Sequence, residues 1–133
     1  MIGIDTCVLV RYLVQDDPSQ SREATAVIEG AEAADERIFL SSPVLCELAW
    51  VLSRIYRITR PEIVHVMETL LHQRLFVFEN KDCVARALDA CRAGQAGFAD
   101  CLIVQHAWNA DCARFVTFDR ALAATLGREE GSS

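Results

Sequence analysis

Four acidic side chains stand at positions where they could act together on a metal ion. Asp5 ends the first apolar run of the chain, and Asp119 lies two residues past the last one. Glu47 and Asp100 fall near the starts of two predicted helices. Clustered oxygen ligands without neighbouring His or Cys suit Mg²⁺ or Mn²⁺. Such ions lower the pKa of a bound water and stabilise charge on phosphate, so the pattern indicates metal-dependent phosphate chemistry.

Each acid also has an ordinary structural interpretation. Asp5 and Asp119 could be helix N-caps, and Asp100 could simply favour a helix dipole. Glu47 and Asp100 are harder to explain in this way, because helical spacing places both on apolar stripes that we expect to face the core. A buried, unpaired carboxylate is costly, and a bound cation would relieve that cost. The stripes consist of Val44, Leu48, Val51 and Ile55 for Glu47, and of Ile103, Val104 and Ala107 for Asp100.

The elements that must position these acids are short apolar strands alternating with helices. This alternation predicts an α/β domain with a mainly parallel sheet of about four strands. Ligands of such sheets bind beyond the carboxyl ends of the strands, where Asp5 and Asp119 would lie. The predicted strands are Met1–Ile4, Arg37–Leu40, Leu75–Phe78 and Arg114–Thr117.

Capping residues and periodicity predict seven helices. Thr59 and Glu62 have capping-box spacing, and Asn80 precedes another helix. The helices are predicted at Thr6–Val14, Ser19–Ala33, Ser41 to about Tyr56, Thr59 to about Gln73, Asn80 to about Arg92, Phe98 to about Trp108, and Asp119–Leu126. We expect one domain over residues 1–126 and a polar tail over residues 127–133.

Composition limits the possible functions of the chain. Its 133 residues carry a net charge of −6, which excludes nucleic-acid binding by a broadly basic surface. An activity on RNA or DNA would therefore need bound cations or a local arginine cluster. The chain contains no apolar run of membrane-spanning length and no apparent secretory signal, so we expect a cytoplasmic protein. Its six cysteines are then expected to be reduced, most of them as small core residues.

Several short motifs together resemble the PIN-domain ribonucleases, most closely the VapC-type toxins of prokaryotic toxin–antitoxin pairs. The resemblance extends from residue 1 to about residue 126. The motifs are Ile4-Asp5-Thr6, Glu47 after a Ser-Pro helix start, Phe98-Ala99-Asp100, and Thr117-Phe118-Asp119-Arg120.

This resemblance implies a PIN-like three-layer domain and a Mg²⁺- or Mn²⁺-dependent endoribonuclease. It implies that Asp5, Glu47, Asp100 and Asp119 bind the metal, and that Asp100 positions water. Thr117 matches a hydroxyl residue that orients the acidic rim in this family. The resemblance also implies a homodimer, and inhibition by a cognate antitoxin whose C-terminal segment lies in a groove near the acids.

The sequence departs from the family pattern at two places. Cys7 stands where the family often has Asn, two residues after the first Asp. A thiol is a poor replacement for an amide that would hydrogen-bond carboxylates. Residues 127–133 contain no apolar run, although many family members end with a further strand.

Other residues carry alternative interpretations. Arg11 and Arg120 could contact an RNA phosphate, although a solvated charge is the more common role of such residues. Arg54, Arg57 and Arg60 cluster around one helix end and fit a solvated face there. Trp50 and Trp108 fit packing or a partner interface better than base stacking.

Three other functions remain open at this stage. A non-catalytic PIN-like domain that only binds a partner is compatible with Cys7. A phosphoacceptor signalling domain would need a lysine at a late strand end, whereas Lys81 is the sole lysine and lies elsewhere. A phosphatase with an Asp nucleophile usually has a second Asp two residues later, where this chain has Cys7.

Overall fold

The computed structural model describes the backbone of residues 1–132 and the side chains of residues 1–127. Its three strands are β1 Ile2–Gly3, β2 Ile38–Leu40 and β3 Phe76–Phe78. Its helices are α1 Thr6–Val14, α2 Pro18–Ala33, α3 Ser42–Arg54, α4 Arg60–Leu71, α5 Lys81–Ala93, α6 Phe98–Asn109 and α7 Arg120–Ser132. This α/β arrangement, a small parallel sheet flanked by helices, confirms the predicted fold class.

The sheet is parallel, with strand order β1-β2-β3. Ile38 pairs with Ile2 on one side and with Phe76 on the other, so β2 is the central strand. Two helices connect each pair of successive strands, as parallel strands require a crossover. Ile38 and Leu40 are fully buried.

Each strand leads into a helix whose first turn is closed by a side-chain cap. Asp5, Ser41 and Asn80 accept backbone N–H groups of α1, α3 and α5 respectively. Short polar side chains of this kind satisfy N–H groups that have no partner within the helix. The three helices that follow the strands therefore all begin at the carboxyl edge of the sheet.

The core lies between the sheet and the helices. Helix α6 packs against α5 and α3, and α1 packs against α2 and α3. Large, fully buried side chains include Leu9, Ile28, Leu45, Leu48, Leu52, Met67, Leu70, Leu88 and Leu102. Among the cysteines, Cys83, Cys91 and Cys101 are buried, whereas Cys7 and Cys112 are exposed and Cys46 is half-buried. Cys46 also packs against the core, so four of the six cysteines belong to the core or contact it, as expected.

The predicted fourth strand at Arg114–Thr117 is absent from the described residues, and the sheet there has three strands. The segment is irregular, and the side chains of Val116 and Phe118 are exposed. Because β1 pairs over only two residues, its other edge offers a very short ladder to any further strand. Apolar composition alone predicted the strand, but neither burial nor hydrogen bonding supports it.

The last helix is longer than predicted. It continues to Ser132, whereas the sequence predicted an end at Leu126 and a frayed tail. Leu122 and Leu126 anchor its first turns in the core. Backbone hydrogen bonding then carries the helix into the polar residues, and residue 133 lies outside the described part of the chain. No helix within the described residues is long and apolar enough to cross a membrane.

Candidate active site at the carboxyl edge of the sheet

Asp5 lies at the carboxyl edge of the sheet, as predicted. It lies two residues after the end of β1 and is exposed. Its Oδ1 atom accepts the backbone N–H of Val8 at 3.1 Å, which makes Asp5 the N-cap of α1. A carboxylate has two oxygens, so capping through Oδ1 leaves Oδ2 as a possible ligand of a cation.

Asp119 caps α7 in the same manner. Its Oδ1 atom accepts the backbone N–H of Leu122 at 2.8 Å. The backbone N–H of Asp119 in turn donates to Oγ1 of Thr117 at 3.0 Å. The Thr117 hydroxyl therefore fixes the backbone that carries the Asp119 carboxylate, although it makes no described bond to the carboxylate itself.

Asp100 lies in the first turn of α6, close to helix α3. Burial raises the pKa of the Cys46 thiol on α3, and the nearby Asp100 carboxylate raises this pKa further. Glu47 follows Cys46 in sequence. The contact between α3 and α6 therefore brings the parts of the two helices that carry Glu47 and Asp100 together.

Both of these acids are exposed, so the prediction that they lie on core-facing stripes is wrong. The buried face of α3 is formed by Leu45, Leu48, Ala49 and Leu52. It is thus rotated away from the predicted stripe, since Ile55 at the end of that stripe is 60% exposed. On α6 Ile103 is exposed in the same way. Both helices are apolar over much of their circumference, so periodicity alone did not select the buried side.

A groove of about 380 Å³ opens beside Asp100. It runs between α3 and the start of α6, and Arg60 of α4 contributes to its wall. Trp50 and Arg54 line it from α3. The guanidinium of Arg60 donates to the carbonyl oxygens of Gly94 and Gln95, at 2.8 Å and 2.5 Å. This pair of bonds holds the segment between α5 and α6, and hence the start of α6, against α4.

The two candidate substrate-binding arginines differ in their surroundings. Arg11 donates to Oδ1 of Asp16 at 2.9 Å and to Oε1 of Gln20 at 2.7 Å. These contacts tie α1 to the start of α2, so the guanidinium of Arg11 already has acceptors. Arg120, the first residue of α7, is exposed beside Asp119. Of the two, Arg120 is the better placed to contact a phosphate.

Glu79 directly follows β3 and was not among the candidate residues predicted from the sequence. Its Oε1 atom accepts the backbone N–H of Ser42 at 3.1 Å, and the Oγ atom of Ser42 shares a 2.9 Å hydrogen bond with Nε2 of His106. Glu79 thus links β3 to the start of α3, and His106 links that start to α6. The signal was available, because Glu79 ends an apolar run in the same way as Asp5.

The candidate acids match a hard divalent cation in the type of ligand atom but not in the number of ligands close together. The four candidate acids supply oxygen ligands, as Mg²⁺ and Mn²⁺ prefer. Within the described side chains, however, no group of three or more His, Cys, Asp or Glu is close enough to hold a metal jointly. Mg²⁺ commonly binds through one or two carboxylates, several waters and the substrate phosphate. The residues therefore fit an ion that binds together with its substrate better than an ion enclosed by protein ligands.

The fold and these acids define a class of protein. The PIN domain family matches residues 2–126, so the chain belongs to the PIN domain family. The chain is also similar to the VapC ribonuclease of Aquifex aeolicus (strain VF5), with 29% identity over 99 residues. That alignment covers 74% of this chain and 73% of the relative. No solved structure matches the chain significantly.

Proposed function

We propose that this protein is a metal-dependent endoribonuclease that hydrolyses RNA phosphodiester bonds, as the VapC-type toxin of a toxin–antitoxin pair. The observation that carries the proposal is the exposure of Asp5, Glu47, Asp100 and Asp119 in a chain that belongs to the PIN domain family. Exposed carboxylates are accessible to both a cation and a polymer, and Asp5 lies at the carboxyl edge of the parallel sheet. The similarity to a VapC ribonuclease supports RNA as the substrate.

The four acids divide into two structural pairs with different tasks. Asp5 and Asp119 are held by the helix ends that they cap, so their positions are fixed before substrate arrives. Asp100 and Glu47 project from two packed helices and face solvent. We assign orientation of the attacking water to Asp100, and fixation of the backbone of Asp119 to Thr117.

We propose Mg²⁺ or Mn²⁺ as the cofactor, with ligands among Asp5, Glu47, Asp100 and Asp119. When bound, such an ion would supply an activated water and neutralise charge on the phosphate. The acids of this chain would repel an RNA backbone without it, because the net charge is already −6.

The remaining parts of the proposal concern partners and location. We propose that residues 1–126 form the nuclease domain, that two copies form a homodimer in the cytoplasm, and that a cognate antitoxin inhibits the enzyme. Light scattering across micromolar concentrations tests the dimer, and a monomer throughout would contradict it. Addition of a candidate antitoxin to the cleavage assay tests the inhibition, and unchanged cleavage with the antitoxin bound would contradict it.

A direct experiment tests the proposed activity. The purified chain is incubated with a mixed pool of structured RNA in Mn²⁺ or Mg²⁺, and separately in EDTA. We expect cleavage only with metal. Cleavage that persists in EDTA would contradict metal dependence, and its absence under all conditions would contradict the ribonuclease.

Among the side chains of residues 1–127 there is no three-ligand cluster, and Cys7 is exposed; both observations favour one alternative, a PIN-like domain that only binds a partner. The two functions differ in metal binding. Calorimetric titration with Mn²⁺ should detect binding to the wild type and weaker binding to Asp5→Asn. A chain that binds no Mn²⁺, with or without RNA, would support the non-catalytic alternative.

A further inference from the structure

The groove beside Asp100 contains side chains that the proposed cleavage does not use. Trp50 is 58% exposed and lines the groove, although an indole gains more from burial than most side chains. The volume of about 380 Å³ lies in the range of small-ligand pockets. An exposed indole in a groove of this size, beside a candidate catalytic acid, indicates a binding surface.

The charge of the groove differs from that of the whole chain. The protein is acidic overall, yet Arg54 and Arg60 both line this groove. Arg60 is held against the wall by its bonds to two backbone carbonyls. Arg54, in the last turn of α3, is exposed. Asp100 also lines the groove, so its charged side chains are two arginines and one carboxylate, and the groove offers a net positive charge to an anion where the chain as a whole does not.

The side chains of α3 run from the candidate active site into the groove, which Trp50 and Arg54 line and Glu47 precedes. Glu47, Trp50 and Arg54 follow one another at spacings of three and four residues, so they share one face of the helix. At the rise of an α-helix, Trp50 lies about 4.5 Å and Arg54 about 10 Å along the axis from Glu47. An acid, an indole and a guanidinium thus succeed one another away from the candidate active site.

We propose that this groove binds the unpaired nucleotide next to the scissile phosphate of a single-stranded RNA. The base stacks on the indole of Trp50, and Arg54 contacts the following phosphate. This inference rests on the proposed function, and it specifies the conformation of the substrate. Stacking on an aromatic ring is tolerant of sequence, so the groove contributes affinity for unpaired RNA and not a choice of base.

The inference revises the expectation, drawn from the sequence, that Trp50 serves packing or a partner interface. The exposed indole excludes core packing. Between a protein partner and RNA, the two arginines of the groove favour the polyanion.

The test measures RNA binding separately from cleavage. A short single-stranded RNA oligomer of mixed sequence is added to the full chain in Mg²⁺, and again in EDTA, and tryptophan fluorescence is read immediately after mixing. We expect quenching in the wild type and a much smaller change in Trp50→Phe, which keeps a ring for stacking but removes the reporter. Trp50→Ala should bind the oligomer roughly 5- to 150-fold more weakly, the range found for loss of one stacked base.

Matched variants control for structural effects. Ile55→Ala removes another exposed apolar side chain near the end of α3 without touching the groove, and it should bind RNA like the wild type. Arg54→Ala should reduce the slope of log affinity against log salt by about 0.7, as expected for one lost phosphate contact on a single strand. Arg22→Ala, an exposed arginine of α2, should leave that slope unchanged.

The outcomes separate this inference from the proposed function. Quenching that depends on Trp50 upholds the binding groove even if the wild type cuts no RNA, a result that would contradict only the ribonuclease. If Trp50→Ala cuts RNA with the same KM as the wild type, the inference is overturned, whereas the proposed ribonuclease activity stands. A Trp50 signal that changes with protein concentration, and not with RNA, would also overturn it, because a second copy of the chain would then cover the groove.

Discussion

The hydroxyl of Thr117 and the backbone N–H of Asp119 form a hydrogen bond of 3.0 Å, two residues apart at the start of α7. The carboxylate of Asp119 closes the same turn by accepting the N–H of Leu122 at 2.8 Å. Two local hydrogen bonds thus hold the backbone and the carboxylate of Asp119, in a segment outside the three described strands.

Replacement of Thr117 tests this positioning role. Thr117→Val keeps the shape of the side chain but removes the acceptor, so Asp119 becomes more mobile. We expect kcat for RNA cleavage to fall about fivefold, in line with one hydrogen bond of about 1 kcal/mol. Thr117→Ser should restore kcat with little change in KM. Equal rates for the Val and Ser variants would contradict the positioning role.

Asp5 is assigned two roles, as the N-cap of α1 and as a ligand of the metal, and two substitutions separate them. Asn caps helices about as well as Asp, whereas Ala does not, so Asp5→Ala should lower the free energy of unfolding by about 1 kcal/mol more than Asp5→Asn. Both variants should lose RNA cleavage, because neither retains the carboxylate. Urea unfolding and cleavage assays on the same preparations make the comparison. Full activity in Asp5→Asn would show that Asp5 is only a cap.

Much of the fold could be predicted from local signals. Polar caps such as Asp5, Ser41 and Asn80 mark helix starts, and the short apolar runs before them mark buried parallel strands. The absent fourth strand could not be predicted in this way. Strand formation depends on burial and on a pairing partner, which are tertiary properties and not features of residues 114–117 themselves.

Cys7 offers a gain-of-function test. An Asn at this position would supply amide donors to neighbouring carboxylates, which a thiol provides poorly. We expect Cys7→Asn to increase kcat/KM for RNA severalfold and to lower the Mg²⁺ concentration needed for half-maximal rate. Cys112→Ser, at another exposed cysteine, is the matched control and should change neither quantity. A Cys7→Asn rate equal to that of the wild type would show that the thiol does not limit the site.

The contact between Tyr56 and Asp16 predicts a pH dependence of stability. Tyr56 Oη donates to Oδ2 of Asp16 at 2.7 Å, and this bond, together with Arg11, lowers the pKa of Asp16. A carboxyl group with a lowered folded pKa stabilises the protein above its unfolded pKa of about 3.9 and loses that contribution as pH falls through the folded value.

Tyr56→Phe removes the strongest of these effects on Asp16. We expect the carboxyl pKa of Asp16, followed by NMR, to rise in the variant toward its ordinary value. The wild type should also be more stable than the variant near neutral pH, and the difference should shrink in acid once Asp16 is protonated in both. A difference in stability that is independent of pH would mean that the effect of Tyr56 is packing alone.

The sequence selects four candidate acids, whose role in the site stays a prediction, but it could not predict their surroundings. The pattern that selects them is their order along the chain, which is Asp5, Glu47, Asp100 and Asp119. The buried side of α3 was misassigned because both sides of that helix are rich in apolar residues, and only its packing against α1 and α6 selects one. The position of Glu79 at the end of an apolar run could have drawn attention to it, but its hydrogen bond to Ser42, 37 positions away in the sequence, could not be predicted.

The most direct test of the proposed ribonuclease is cleavage of a structured RNA pool by Asp100→Asn, with Mn²⁺ or Mg²⁺ and with EDTA. Asp82→Asn is the matched control, because Asp82 is also an exposed acid in the first turn of a helix. We predict that the wild type and Asp82→Asn cut RNA only with metal, and that Asp100→Asn cuts none while its circular dichroism spectrum and melting temperature stay close to those of the wild type. Cleavage by folded Asp100→Asn at the wild-type rate would contradict the catalytic role assigned to this carboxylate.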